Sequence, residues 1–220
     1  MLQGLFVTGT DTGVGKTLIS TALVRAYARS GLHVAGLKPV VSGVVGGRWE
    51  DVEALRRASV PPRAERACCL HAFHEAIAPH WAAQQAGCEM DVEGIADFVR
   101  AQARSVDAVV VEGAGGFLVP LNARHGFADL AQALGLPVVL VVGLRLGAIN
   151  HALLTEEAIL RRGLTVRGWV GNHLAAEVAP GTLEGVRERM ASPCLGVVPY
   201  HVPVDAGRAL RCLDPALGRI

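Results

Sequence analysis

Apolar, often β-branched residues occur along the chain in short runs, at residues 5–8, 34–37, 106–111, 138–142, 166–170 and 195–198. Runs apolar at consecutive positions suit strands covered on both faces, as in a parallel sheet. Between them, residues 17–29, 92–104, 127–134, 148–162 and 182–190 mix apolar and polar positions with a near-helical period. The alternation predicts an α/β fold: a doubly wound, mainly parallel sheet with helices on both faces. At 220 residues, 51% of them hydrophobic, the chain suits one such domain over residues 1–220. It carries no internal repeat, low-complexity segment or linker, and residues 43–48 read as a mobile loop near the site.

Folds of this kind bind ligands beyond the carboxyl ends of their strands, so the residues that follow each run are the candidates. After the first run comes TGTDTGVGKT, after the second Lys38-Pro39, and after the third Glu112-Gly113-Ala114-Gly115-Gly116. Asn172 follows the fifth, and Pro199-Tyr200 the sixth.

A phosphate loop requires a glycine, four residues and then Gly-Lys-Ser/Thr, its backbone N–H groups cradling phosphates and its hydroxyl reaching magnesium. Here the first position is Thr10, with Gly9 one residue too early, but strand, glycine-rich loop, Gly15-Lys16-Thr17 and helix occur in the required order. That order favours an anion-binding helix N-terminus over a turn that binds nothing.

Glu112 ends its strand where a carboxylate would sit beside a nucleotide's magnesium, and the glycines after it allow close backbone approach. Position alone leaves Asp51 open between a helix N-terminal acid and a metal ligand. Lys16 and Lys38 are the only lysines in a chain whose other cationic side chains are arginines. Where arginine is the rule, a retained lysine marks a place that needs a compact point charge.

Composition narrows the alternatives. A formal net charge of +1, with no basic run longer than an arginine pair, lacks the footprint of a nucleic-acid binder. Five cysteines, none spaced Cys-x-x-Cys, point to a reducing compartment. With no charged leader and a longest apolar stretch of residues 137–143, the expectation is a cytoplasmic protein without a membrane partner. His71 and His74 lack the partners of a metal site, and no Ser-His-Asp or Cys nucleophile constellation emerges. What remains is electrostatic phosphoryl-transfer chemistry.

Taken together, FVTGTDTGVGKT at 6–17, GLKPVVSG at 36–43, VEGAGG at 111–116 and LGAINH at 146–151 resemble the dethiobiotin synthetase family. Weaker echoes are APHWAA from Ala78 and Gly171-Asn172. The resemblance implies a P-loop NTPase type of fold and an ATP- and Mg2+-dependent ligase that closes the ureido ring of dethiobiotin from 7,8-diaminopelargonate and CO2 or bicarbonate. It implies that Thr12, Gly13, Val14, Gly15, Lys16, Thr17 and Leu18 wrap the ATP phosphates, and that Thr17, Asp51 and Glu112 hold magnesium. Lys38 and Lys16 would be catalytic, Ser42 a substrate contact, and Gly113, Ala114 and Gly115 part of the nucleotide site. Asn172, His173, Pro199, Tyr200 and His201 would surround the adenine. Gly147, Ala148, Ile149 and Asn150 would offer free backbone N–H groups to the substrate carboxylate from the neighbouring subunit of a homodimer. Family members often carry Asp at the position of His173 and Lys at that of Arg145. Two further readings are a partitioning or septum-positioning ATPase and an amidoligase. The first carries an extra lysine where this chain has Asp11, and the second a glutaminase domain not found here.

Overall fold

In the computed structural model, which describes residues 2–218, the six apolar runs form the six strands of one sheet. In chain order the elements are β1 (Gly4–Gly9), α1 (Lys16–Arg29), β2 (Val34–Leu37), β3 (Val40–Ser42), α2 (Glu50–Ala58), β4 (His71–Phe73), α3 (Pro79–Gln85) and α4 (Val92–Ala103). They continue as β5 (Ala108–Glu112), α5 (Phe127–Leu134), β6 (Val138–Leu144), α6 (Ala148–Arg161), β7 (Val166–His173), α7 (Thr182–Arg189), β8 (Cys194–Val198) and α8 (Ala206–Arg211). The order across the sheet is β2-β5-β1-β6-β7-β8, and every adjacent pair is parallel. The chain passes from β1 outward to β2, returns to β5 and then crosses to β6, so the winding reverses around β1. Such a reversal opens a crevice at the carboxyl ends of the strands.

Alternate residues of one strand enter different cores, which explains the unbroken apolar runs. Phe6, Val109, Val111 and Val138 pack with Ile95 and Val99 of α4 and Leu130 of α5. Their neighbours Leu5, Val7, Val110 and Val139 face the other way, onto Ile19 and Leu23 of α1, Leu55 of α2 and Ala209 of α8. A third cluster joins Leu140 and Val142 of β6 and Trp169 of β7 to Ala152 of α6 and Val186 of α7.

Several boundaries move from their expected places. The run expected to start at Val106 becomes strand only at Ala108, where pairing with Val34 begins; the Val106 N–H still closes a turn on Ala103. β7 extends to His173 because Asn172 and His173 pair with Gly143 and Leu144. Helices α2, α3 and α8, of nine, seven and six residues, are too short to display a helical period unaided. β3 and β4 form a separate parallel pair. Within 43–48 the backbone makes a tight turn in which Val45 and Arg48 exchange hydrogen bonds of 2.9 and 3.0 Å. Among the described residues, no helix is long and apolar enough to cross a membrane.

Candidate active site

Strand register assembles the site. Leu37 pairs with Val111, so Lys38 leaves β2 level with Glu112, and Glu112 is itself level with Val7 of β1. The phosphate loop leaves β1 two residues beyond that point, and its helix α1 crosses the same edge. Residues 38 and 112 therefore meet through pairing rather than proximity in sequence, and Lys16 lies close enough to feel the charges of both.

The loop is braced from below. The Thr10 N–H donates to Val141 O at 3.0 Å, and the Asn172 side-chain amide donates to Val14 O at 2.9 Å. The Lys16 ammonium reaches back to Asp11 O at 2.9 Å. An ordinary helix start is capped by a Ser, Asp or Asn side chain. α1 instead starts from Gly15, at φ +93°, with no side-chain cap and no acid in its first turn. Its first N–H groups are left for an anion, where the helix dipole adds attraction.

Around Lys38 the groups converge. Its ammonium donates to Glu112 Oε1 at 2.6 Å and Gly113 O at 3.1 Å, and lies 2.9 Å from Asp51 Oδ2. Thr17 Oγ1 is 2.7 Å from Asp51 Oδ1 and 2.8 Å from Glu112 Oε1. A threonine hydroxyl has one proton and cannot donate to both carboxylates at once. The other oxygen of Glu112, Oε2, is buried without a hydrogen-bond partner. Three close oxygens, two from carboxylates, plus an orphaned lone-pair atom fit a hard divalent cation such as magnesium. Asp51 lies in the first turn of α2, and its carboxylate joins this cluster. Trp49, just before α2, helps hold that turn in place by donating from Nε1 to Phe73 O at 3.0 Å.

The cluster shapes its own ionisation. Burial alone would lower the Lys38 pKa, but the charges of Glu112 and Asp51 outweigh it and hold the ammonium above the usual lysine value. Burial likewise pushes Asp51 up, yet Lys38 and the Thr17 hydroxyl bring it below the usual carboxylate value. Lys16 lacks such contacts; burial, and next the charge of Lys38, depress it to about 8.

A cavity of about 180 Å³ beside the loop is lined by Gly13, Gly15, Leu18, Asn172, His173, Pro199, Tyr200 and His201, which gathers the residues expected around a base. Leu174, Val204 and Asp205 also line it; no motif singles them out in the sequence. Asn172 is only partly available there, because its amide nitrogen is engaged with Val14. Gly113, Ala114 and Gly115 pass next to the phosphate loop: a Cβ on Gly115 would lie 3.5 Å from Thr12 Oγ1.

The expected substrate residues are less tightly gathered. Ser42 ends β3, paired with Phe73, and among the described residues its hydroxyl makes no hydrogen bond to the cluster. Gly147, Ala148, Ile149 and Asn150 open α6, and the expectation of free N–H groups needs correcting at Ala148, whose N–H donates to Arg145 O at 3.0 Å in a turn preceding the helix. The Arg145 guanidinium itself reaches the Asp11 carboxylate in the phosphate loop, a contact visible only in three dimensions.

A family profile described as an AAA domain matches residues 3–208. The ATP-dependent dethiobiotin synthetase BioD of Nitrosospira multiformis is 45% identical over 218 residues, covering 98% of this chain and 96% of that protein. The BioD of Ralstonia nicotianae is 47% identical, covering 97% of each. A ParA family ATPase from Chlorobium tepidum superposes with a TM-score of 0.59 at 13% identity, over 97% of this chain and 92% of the other. The septum site-determining protein MinD of Pyrococcus horikoshii, solved with Mg-ADP, superposes with a TM-score of 0.58 at 15% identity, over 100% and 89%. The two solved structures share the P-loop NTPase fold; identity over nearly the whole length makes this chain a member of the ATP-dependent dethiobiotin synthetase family.

Proposed function

We propose that this protein is a cyclo-ligase of biotin biosynthesis that forms the ureido ring of dethiobiotin from 7,8-diaminopelargonate and CO2, with ATP as the phosphoryl donor and ADP and phosphate released. The reading is carried by the convergence of Lys38 with Thr17, Asp51 and Glu112 at the carboxyl edge of the sheet, with Lys16 near enough to feel their charge.

One amine of the substrate adds to CO2 and loses a proton, giving a carbamate. A carbamate oxygen attacks the γ-phosphorus of ATP, and the bond to the bridging oxygen of ADP breaks, leaving a carbamic-phosphoric anhydride. The second amine then attacks the carbonyl carbon, the C–O bond to phosphate breaks, and the ring closes with loss of a proton. The first two partners are both anions, so their approach needs fixed positive charge in a water-poor site. Lys16 would neutralise the β- and γ-phosphates from the start of α1, and Lys38 the carbamate and transferred phosphate. Magnesium, held by Thr17, Asp51 and Glu112, would add charge neutralisation at the phosphate oxygens. The base would occupy the cavity of His173, Pro199, Tyr200 and His201, with His173 as the residue most able to alter base selectivity.

Ser42 would contact the substrate, and the start of α6 would serve its distant end, with the Ile149 and Asn150 N–H groups facing its carboxylate across the interface of a homodimer. The expected setting is the cytoplasm, without membrane or nucleic-acid partners. The test is mass spectrometry of products formed from ATP, magnesium, the diamine and isotopically labelled bicarbonate. A labelled cyclic urea is expected; its absence from protein that binds ATP would overturn the reading.

A further inference from the structure

The ammonium of Lys38 sits in the same nest of oxygens that the reading above assigns to magnesium. Its three protons meet three acceptors, Glu112 Oε1, Asp51 Oδ2 and Gly113 O, so nothing of it is left for a reactant. The side chain is 4% exposed and that of Glu112 is not exposed at all, so the pair has little water to fall back on. A fully buried carboxylate such as Glu112 needs a counter-charge, and this lysine is the cation in direct contact with it and with the half-exposed Asp51.

A divalent ion bound by Thr17, Asp51 and Glu112 changes that balance. It would take the lone pairs that hold the ammonium, and its charge would repel the neighbouring cation by an amount well above thermal energy even at a protein-like dielectric. Gly113 O alone cannot retain a buried lysine. The charge arriving with a phosphorylated nucleotide lies on the open side of the cluster, where the uncapped start of α1 lies.

We propose that Lys38 is the resident cation of the metal site while metal is absent, and that metal loading exchanges it out, freeing its ammonium for the anionic reactants. Catalytic lysine and metal would then be coupled by competition for two carboxylates. The proposal rests on the magnesium assignment above. It predicts that a chain with ADP but no metal has Lys38 locked and unavailable.

Because the chain has two lysines, labelling lysine with 15N leaves two side-chain ammonium signals to follow. In the ADP complex, the Lys38 signal, identified by its loss in Lys38→Met, should be protected from exchange without metal, then shift and lose protection when Mg2+ is added. By electron paramagnetic resonance, the ADP complex of Lys38→Met should bind Mn2+ at least about fivefold more tightly than that of the wild type, the lower end of coupling between linked sites. Mn2+ binding with an unchanged Lys38 signal, or no tighter in Lys38→Met, would overturn the exchange while leaving the metal ligands standing. Asp51→Asn separates the two failures: if its Mn2+ affinity equals the wild type's, the ligand assignment falls and the exchange falls with it. The one lysine signal left in Lys16→Met gives the same assignment, so the wild-type signal decides the matter even where Lys38→Met folds poorly.

Discussion

The side-chain amide of Asn172 donates to the main-chain carbonyl of Val14 at 2.9 Å, tying the last turn of the β7 strand end to the middle of the phosphate loop across 158 residues of sequence. Asn172 is 6% exposed, so its bond is shielded from water. Asn172→Ala would leave the Val14 carbonyl without this partner, at a cost of about 1–3 kcal/mol in stability. Nucleotide affinity should fall as well, since the loop loses its brace. Denaturant unfolding and calorimetric titration of ADP check the two effects; unchanged affinity would reduce Asn172 to a strand-end residue.

Gly15 faces that same amide. Its φ of +93° is open to glycine, and a Cβ there would lie 2.3 Å from Asn172 Nδ2. Gly15→Ala should therefore damage both the loop and its brace, reducing ATP turnover to near background while the sheet survives. Circular dichroism beside a turnover assay checks this, with Gly13→Ala as the comparison: Gly13 is also at positive φ, +73°, but a Cβ there meets no atom within 4 Å, so the extra damage in Gly15→Ala reports the clash with Asn172.

Nucleotide affinity should depend on pH through Lys16. Burial, followed by the charge of Lys38, lowers its pKa to about 8 in the free protein, and phosphate binding favours its charged form. Below pH 8 the lysine is already protonated and affinity is flat; above it, binding must take up a proton, so affinity declines towards a tenfold loss per pH unit. Titration of ADP from pH 6.5 to 9.5 in buffers of different ionisation heat measures that uptake. Lys16→Met should bind weakly and lose the dependence.

Glu112 and Asp51 should separate on mutation. Glu112 is fully buried against Lys38, whereas the Asp51 side chain is 40% exposed. Glu112→Gln breaks a buried pair and should cost roughly 3–5 kcal/mol of stability. Asp51→Asn should cost less than about 1 kcal/mol, in the range of exposed pairs, while raising the magnesium needed for half-maximal turnover. Thermal unfolding and magnesium titration of activity check both; equal loss of stability in the two variants would contradict the burial argument.

The sequence by itself determined much of the frame. Strands that are apolar at consecutive positions must be covered twice, so a doubly wound parallel sheet is legible before any coordinates. The phosphate loop is equally local: Gly15, Lys16 and Thr17 act through backbone shape and a helix start that a few adjacent residues specify. Lys38 stood out because one of only two lysines in an arginine-rich chain falls at a strand tip. Tertiary structure decided what these residues touch. Asp51 could not be separated from an ordinary helix-start acid until α2 brought it to Thr17, 34 residues away. Asn172 is expected from the family resemblance to contact the base, and the structure shows it as a brace, because β7 runs three residues further along β6 than its apolar run suggests. The Asp11–Arg145 contact and the cavity residues Leu174, Val204 and Asp205 have no local signature at all. Burial writes itself into sequence as a pattern because every residue of an element feels it, whereas a contact between strand ends depends on register between segments far apart, which no single segment encodes.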